Sequence, residues 1–143
     1  MRNEEVKVSA PLNLKTLHMD SQSKFDLEDR LVDFACMCLN VCDLLPGSRT
    51  GQNLEHQLSK SGTASALIYG EAQGAESRAD FLHKMRMCLK EIKETRINLK
   101  IIMRKPVLVH EKVDIAFTEV NQLMAIFLKS IETAQQNDER RRK

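Results

Sequence analysis

Residues 81–102 read FLHKMRMCLKEIKETRINLKII, and this stretch decides the fold class. Its apolar and small residues recur at alternating steps of four and three, at Phe81, Met85, Cys88, Ile92, Thr95, Leu99 and Ile102. This spacing keeps the side chains on one face of an α-helix for about three heptads. The stretch therefore predicts an amphipathic helix with an inward-facing seam, which ends before Pro106 because proline cannot continue a helix.

The same periodicity occurs on both sides of this stretch. A first helix is indicated by Leu27, Leu31, Phe34, Ala35, Cys38, Val41, Cys42 and Leu45, and it ends at Pro46-Gly47. After a turn at residues 48–51, a second helix is indicated by Leu54, Leu58, Ser61, Ser65, Ile68, Tyr69 and Ala72. The four-three rhythm returns in a fourth helix at Val113, Phe117, Val120, Met124, Phe127 and Ile131.

The junctions between these segments are short. Gly74 suits a left-handed position after the second helix, and Ser77 with Asp80 three residues later resembles a helix N-cap. Because short loops make neighbouring helices antiparallel, we predict an all-α, antiparallel up-down-up-down four-helix bundle. In this bundle the following side chains should be largely buried and should contact the first two helices: Phe81, Cys88, Ile92, Phe117, Met124 and Phe127.

Composition agrees with one helical domain. A chain of 143 residues with 42% hydrophobic residues can bury one core, and a 4% aromatic content with five glycines and three prolines favours helix over sheet. We expect residues 1–22 to be a flexible N-terminal segment, residues 23–134 to form the bundle and residues 135–143 to be a frayed basic tail. No apolar run approaches the roughly 18 residues that span a bilayer, so we expect a cytoplasmic protein without a membrane partner. The cysteines lie inside helical segments, which favours free thiols.

Residues 69–78, YGEAQGAESR, are the most distinctive motif of the chain. Together with Phe81, Lys90-Glu91, Glu94-Thr95, Leu99 and residues 126–131, they resemble the bacterial four-helix bundle proteins named for intervening sequences within 23S rRNA genes. That family is similar in fold to the accessory protein of diversity-generating retroelements, a pentameric ring that contacts a reverse transcriptase and nucleic acid. The resemblance implies a homopentamer for this chain, and it implies a nucleic-acid role only for that relative. Glu71, Gln73, Glu76 and Arg78 of this motif are interpreted as helix caps and as partners of one another, and Gly74 and Ser77 complete the helix-turn motif.

A basic ridge runs along the predicted third helix, opposite its apolar seam. Its members share about one third of the helix circumference and are Arg86, Lys90, Lys93, Lys100 and Arg104. Such a ridge is either a solvated helix face, partly offset by Glu91 and Glu94, or a site for phosphate groups of RNA or DNA. No stacking aromatic residue lies nearby to support recognition of single strands.

Apolar residues also fall outside the predicted seams. Ile97 and Ile101 lie in the basic stripe of the third helix, and Ile115 and Ile126 lie on the fourth helix away from its seam. Val32 and Leu39 flank the seam of the first helix. Because a monomer would expose these residues, we expect the four isoleucines to form an interface between copies of the chain.

No catalytic, cofactor or metal motif is recognisable. The nearest match to a di-iron motif, Asp80-x-x-His83, points away from the seam, and no Cys-x-x-Cys spacing is present. The leading interpretation is a non-enzymatic, homo-oligomeric scaffold or adapter with nucleic acid or a nucleoprotein as candidate partner. A metal-carrying or enzymatic bundle is the alternative.

Overall fold

The computed structural model describes residues 23–143, which fold as a four-helix bundle. Helix α1 spans Ser23–Leu44, α2 spans Arg49–Gln73, α3 spans Arg78–Arg104 and α4 spans Glu111–Arg142. The all-α prediction is confirmed for this part of the chain. The expected flexible segment at residues 1–22 lies outside the described residues.

Contacts between paired residues show that α2 and α3 run in opposite directions. Thr95 meets Ser61 near the middle of α2, and Lys84 meets Glu71 near the C-terminal end of α2, so one residue number rises as the other falls. Helix α1 packs on α2 and α4, and α3 also packs on α2 and α4, so the four helices surround one core.

The seam of α3 is confirmed except at its first position. Met85, Cys88, Ile92, Leu99 and Ile102 are buried, whereas Phe81 is only half-buried and the neighbouring Leu82 takes the core position. The other helices bury many of the expected residues, and Leu31, Phe34, Leu58 and Phe127 are among the largest fully buried side chains.

The predicted seam of α4 is wrong at two of its positions. Phe117 and Met124 are half-buried, and Ala116 and Leu123 occupy the core in their place. The spacing allowed either choice, because residues one apart are separated by only about 100° on a helix and both could border an apolar stripe. Phe117 instead lies beneath Arg96, whose guanidinium carbon is 5.8 Å from the ring centroid.

Helix ends follow the capping rules with three corrections. Ser77 caps α3 as predicted, since its Oγ accepts a hydrogen bond from the Asp80 backbone N–H at 3.0 Å. The predicted turn after Gly47 is shorter than expected, because Ser48 caps α2 and the helix begins at Arg49. Gly74 ends α2 with a φ of −100°, so it is not left-handed. Helix α4 continues to Arg142, so the predicted fraying of residues 135–142 is not observed.

Small residues of α2 allow its backbone to approach the neighbouring helices closely. Gly62 is buried, and a Cβ atom added there would lie 2.7 Å from Cβ and 2.8 Å from Sγ of Cys38 on α1. On the α3 side, Ser61 Oγ accepts hydrogen bonds from Thr95 Oγ1 at 2.9 Å and from Asn98 Nδ2 at 3.2 Å. These contacts fix the register of α2 against both neighbours.

We predict that Gly62→Ala destabilises the fold by about 1–3 kcal/mol, because the added methyl overpacks the contact with Cys38. Gly70→Ala is the matched control on the same helix, where nothing lies within 4 Å of an added Cβ. It should stabilise the fold by about 0.5–1 kcal/mol through helix propensity. Urea unfolding followed by circular dichroism measures both values, and a stabilising Gly62→Ala would contradict the close approach.

A second pair of variants tests the register of α4. Phe127 is fully buried, so Phe127→Ala should cost about 3–5 kcal/mol of unfolding free energy. Phe117→Ala should cost clearly less, because Phe117 is half-buried and its loss leaves a smaller cavity. If both variants lost the same unfolding free energy in this experiment, Phe117 would be as much a core residue as Phe127, which would contradict the register described for α4.

Candidate functional site

The basic ridge predicted on α3 lies on the surface of the bundle. Arg86, Lys90, Lys93 and Arg104 are exposed, and Lys100 is half-buried. All are on the side of α3 opposite the core contacts of Cys88, Ile92 and Leu99. The structure thus places the five cations on one continuous face of the helix.

Two other cations of α3 have structural partners. Lys84 Nζ pairs with Glu71 Oε1 on α2 at 3.0 Å, and this hydrogen bond raises the pKa of Lys84. Arg96 Nε donates to Asn121 Oδ1 on α4 at 2.7 Å while its guanidinium covers Phe117. Within residues 23–143, none of the five ridge cations lies within 4.0 Å of a carboxylate oxygen. The ridge therefore keeps its positive charge available to a partner.

The acidic residues beside the ridge offset it only in part. Glu91 is half-buried, and its pKa is raised above the ordinary value mainly by burial and also by the neighbouring Glu94. Glu94 is exposed. Lys90 and Lys60 act in the opposite direction on the pKa of Glu91, and within the described residues neither Glu91 nor Glu94 forms an ion pair with the ridge.

Exposed isoleucines interrupt the C-terminal half of this ridge. Ile97 is 48% exposed and Ile101 is 47% exposed, one helical turn apart. Lys93, Lys100 and Arg104 lie along one side of this pair on the helix surface, and the exposed Glu94 lies on the other side. An apolar pair flanked by cations is a mixed surface, which suits a partner with both apolar and acidic groups.

A second apolar surface lies between α1 and α4. An open groove is lined by Met37, Asp114, Ile115, Thr118 and Glu119, and Ile115 is 51% exposed. Ile115 is therefore exposed as predicted. Ile126 is half-buried, so the expectation of an exposed residue there is wrong: its side of α4 is partly covered within the monomer.

An ion pair that the sequence pattern does not predict crosses the α1–α4 seam beside the groove. Arg30 donates from Nε to Glu119 Oε2 at 2.7 Å and from Nη2 to Glu119 Oε1 at 3.1 Å. The same Nη2 also donates to Gln122 Oε1 at 2.7 Å. The only sequence signal was the position of Arg30 next to the seam residue Leu31, which places a long cationic side chain at the edge of the core.

Negative charge accumulates on this side of the bundle. Burial raises the pKa of Asp33, and the carboxylates of Asp29 and Glu119 raise it further. Asp33 and Asp114 are exposed and have no ion-pair partner within the described residues. The groove is thus apolar at its base and acidic around its rim.

The residues of the distinctive motif form the junction between α2 and α3. Ser77 caps α3, the Gly74 backbone N–H donates to Glu71 O at 3.1 Å, and Glu71 pairs with Lys84. The predicted capping role is observed for Ser77, but the carboxylate of Glu71 pairs with Lys84 and not with Arg78. Gln73, Glu76 and Arg78 are exposed.

The buried thiols are poor nucleophiles. Burial raises the pKa of Cys42 to about 11 and that of Cys88 to about 12, and it raises the pKa of Cys38 further. All of the cysteines are free, and Cys36 is exposed. Thiols with such pKa values stay protonated near neutral pH and do not act as thiolate nucleophiles.

The structure assembles no metal centre in residues 23–143, where no group of three or more His, Cys, Asp or Glu side chains is placed to hold an ion. His83 is exposed and Asp80 is half-buried at the start of α3. Across the same residues, no helix combines the length and the apolar character needed to cross a membrane.

Comparison with known proteins gives a likeness in structure. The chain is similar to a solved protein of unknown function from Bacteroides thetaiotaomicron, with 26% sequence identity and a TM-score of 0.67. That neighbour comes from the S23 ribosomal protein family. The match covers 73% of this chain and 96% of the neighbour, so the bundle accounts for nearly all of the neighbour's fold. No protein-family model and no curated protein matches the chain.

Proposed function

We propose that this protein is a non-enzymatic scaffold or adapter that works as a homo-oligomer. The carrying observation is that Ile97, Ile101 and Ile115 are each about half exposed on two different faces of an otherwise well-filled bundle. Singly exposed apolar residues are common, but a pair on one face and a groove on another form patches that a second chain can cover. The protonated buried thiols support a role without covalent chemistry.

The proposed assembly is a closed ring, and its proposed number of subunits is five. Two different patches that bind each other form a ring when the rotation between subunits closes. The number five rests on the resemblance of residues 69–78 to the 23S rRNA intervening-sequence proteins. The likeness to a bundle of the S23 ribosomal protein family supports grouping this chain with helical proteins of that kind.

We predict that light scattering of a dilute sample gives a multiple of the 16.4 kDa chain mass. A pentamer would give roughly 82 kDa, five times that mass, by closure of one heterologous contact. A mass of 16.4 kDa at micromolar concentration would refute the proposed assembly. A dimer or tetramer would refute only the number five.

Nucleic acid is the second candidate, as a partner of the oligomer. It is favoured by one observation, the absence of ion-pair partners for the ridge cations within residues 23–143. Cations that the fold does not use can neutralise phosphates, and each contact releases a condensed counterion. Several subunits would multiply the number of such contacts.

We predict that RNA or DNA binding falls steeply with salt and is lost when Lys90, Lys93 and Lys100 are changed to Glu. In the single variant Lys90→Glu, which still binds, the slope of log affinity against log salt should decrease by about one, because each phosphate-contacting lysine contributes about one. The matched control changes three lysines elsewhere, Lys60→Glu, Lys112→Glu and Lys129→Glu, which are exposed in the structure. Equal losses in both triple variants would mean a general charge effect and would remove the ridge as the binding site.

A further inference from the structure

The two mixed surfaces of this chain are complementary in charge. On α3, the half-exposed Ile97 and Ile101 are flanked on one side by Lys93, Lys100 and Arg104. On the opposite side of α4, Ile115 and Met37 line a groove together with Asp114 and Glu119. Both surfaces combine exposed apolar residues with flanking charges, and the charges have opposite signs.

The positive surface is not neutralised within its own chain. Its cations have no ion-pair partner among residues 23–143, whereas Lys84 and Arg96 of the same helix are engaged with α2 and α4. An exposed apolar pair beside unpaired cations favours a partner that supplies carboxylates next to an apolar recess.

The negative surface is not neutralised either. Arg30 pairs with Glu119, but Asp33 and Asp114 have no ion-pair partner in the described chain. Burial, and after it the carboxylates of Asp29 and Glu119, raise the pKa of Asp33, and a cation from outside would relieve this repulsion. An isoleucine between lysines meets both needs of this groove.

We propose that the Ile97–Ile101 face of one copy docks into the Met37–Ile115 groove of a second copy, with Lys93 and Lys100 against Asp33 and Asp114. The inference rests on the proposed self-association and assigns the two faces that meet. Because the two faces are different, a pair of copies leaves one α3 face and one groove unused. Further copies can therefore add until the ring closes. The pairing buries the three isoleucines that a monomer exposes.

Arg86 and Lys90 remain outside this contact. They precede Ile97 by about 10–16 Å along the helix axis, at 1.5 Å per residue. The ridge is therefore divided into a C-terminal half that binds a second copy and an N-terminal half that stays open to solvent or to phosphate.

The test uses charge reversal in the full-length chain, with mass measured by light scattering. Lys93→Glu with Lys100→Glu should reduce the assembly to the 16.4 kDa monomer, as should Asp33→Lys with Asp114→Lys. Combining all four substitutions in one chain should restore the assembly, because the two faces again carry opposite signs. The control, Arg86→Glu with Lys90→Glu, makes the same change of charge on the same helix and should leave the mass unchanged.

The outcomes separate this pairing from the proposed function. A monomeric wild-type chain overturns self-association itself and the pairing with it. An oligomeric wild type whose two reversed variants stay oligomeric overturns only the pairing, and leaves the α3 face to an acidic protein or a nucleic acid. Loss of assembly without restoration in the four-fold variant, or equal loss in the control, also overturns the pairing. Circular dichroism of each variant must show the wild-type helix content. If a charge-reversal variant fails to fold, Ile97→Ser replaces it as the test. This substitution leaves the charge unchanged and should weaken assembly at least tenfold.

Discussion

The rest of the structure depends on the close approach of α2 to its two neighbours. Gly62 contacts Cys38 on α1, and Ser61 binds Thr95 and Asn98 on α3, all within one helical turn of α2. A larger residue at Gly62 would push α1 away, and an apolar residue at Ser61 would remove the partner of Asn98 Nδ2, while Thr95 Oγ1 would keep its hydrogen bond to the Glu91 carbonyl oxygen. The position of α3, and therefore the direction of its ridge, is set by this contact.

Size explains the composition of α2 better than hydrogen bonding does. Ser65 is fully buried, and its Oγ has no hydrogen-bond partner within residues 23–143. A hydroxyl without a partner costs free energy in a core, so the residue is best understood as a small one that leaves room for Cys88, whose Sγ lies 3.6 Å from the Ser65 carbonyl oxygen. The middle of the bundle is held by backbone proximity, whereas its ends are held by large apolar side chains such as Phe127 against Tyr69.

Features that repeat along one helix could be predicted from the sequence, whereas features that depend on contacts between two helices could not. The seam of α3, the end of α1 before Pro46 and the Ser77 cap follow from spacing and local hydrogen bonding, so they could be read from the chain. The choice of Ala116 over Phe117 could not be predicted, because it depends on how far α4 is rotated against α3, where Phe117 lies beneath Arg96. The groove beside Arg30 and Glu119 was missed for the same reason: those residues are 89 apart in sequence.

The α1–α4 seam differs from the α1–α2 and α2–α3 seams in what closes it. Polar or sulfur-containing residues buried in the core join α2 to α1 and to α3, but the described cross-seam contacts of α1 and α4 include a half-exposed pair, Arg30 with Glu119. A partly exposed ion pair contributes little stability, and it cannot fill space as a packed side chain does. The seam therefore stays open above Met37, and Ile115 remains at its edge. An opening of this kind leaves an apolar recess on the isolated bundle, so the residues that close this seam least well are the ones that the proposed assembly would cover.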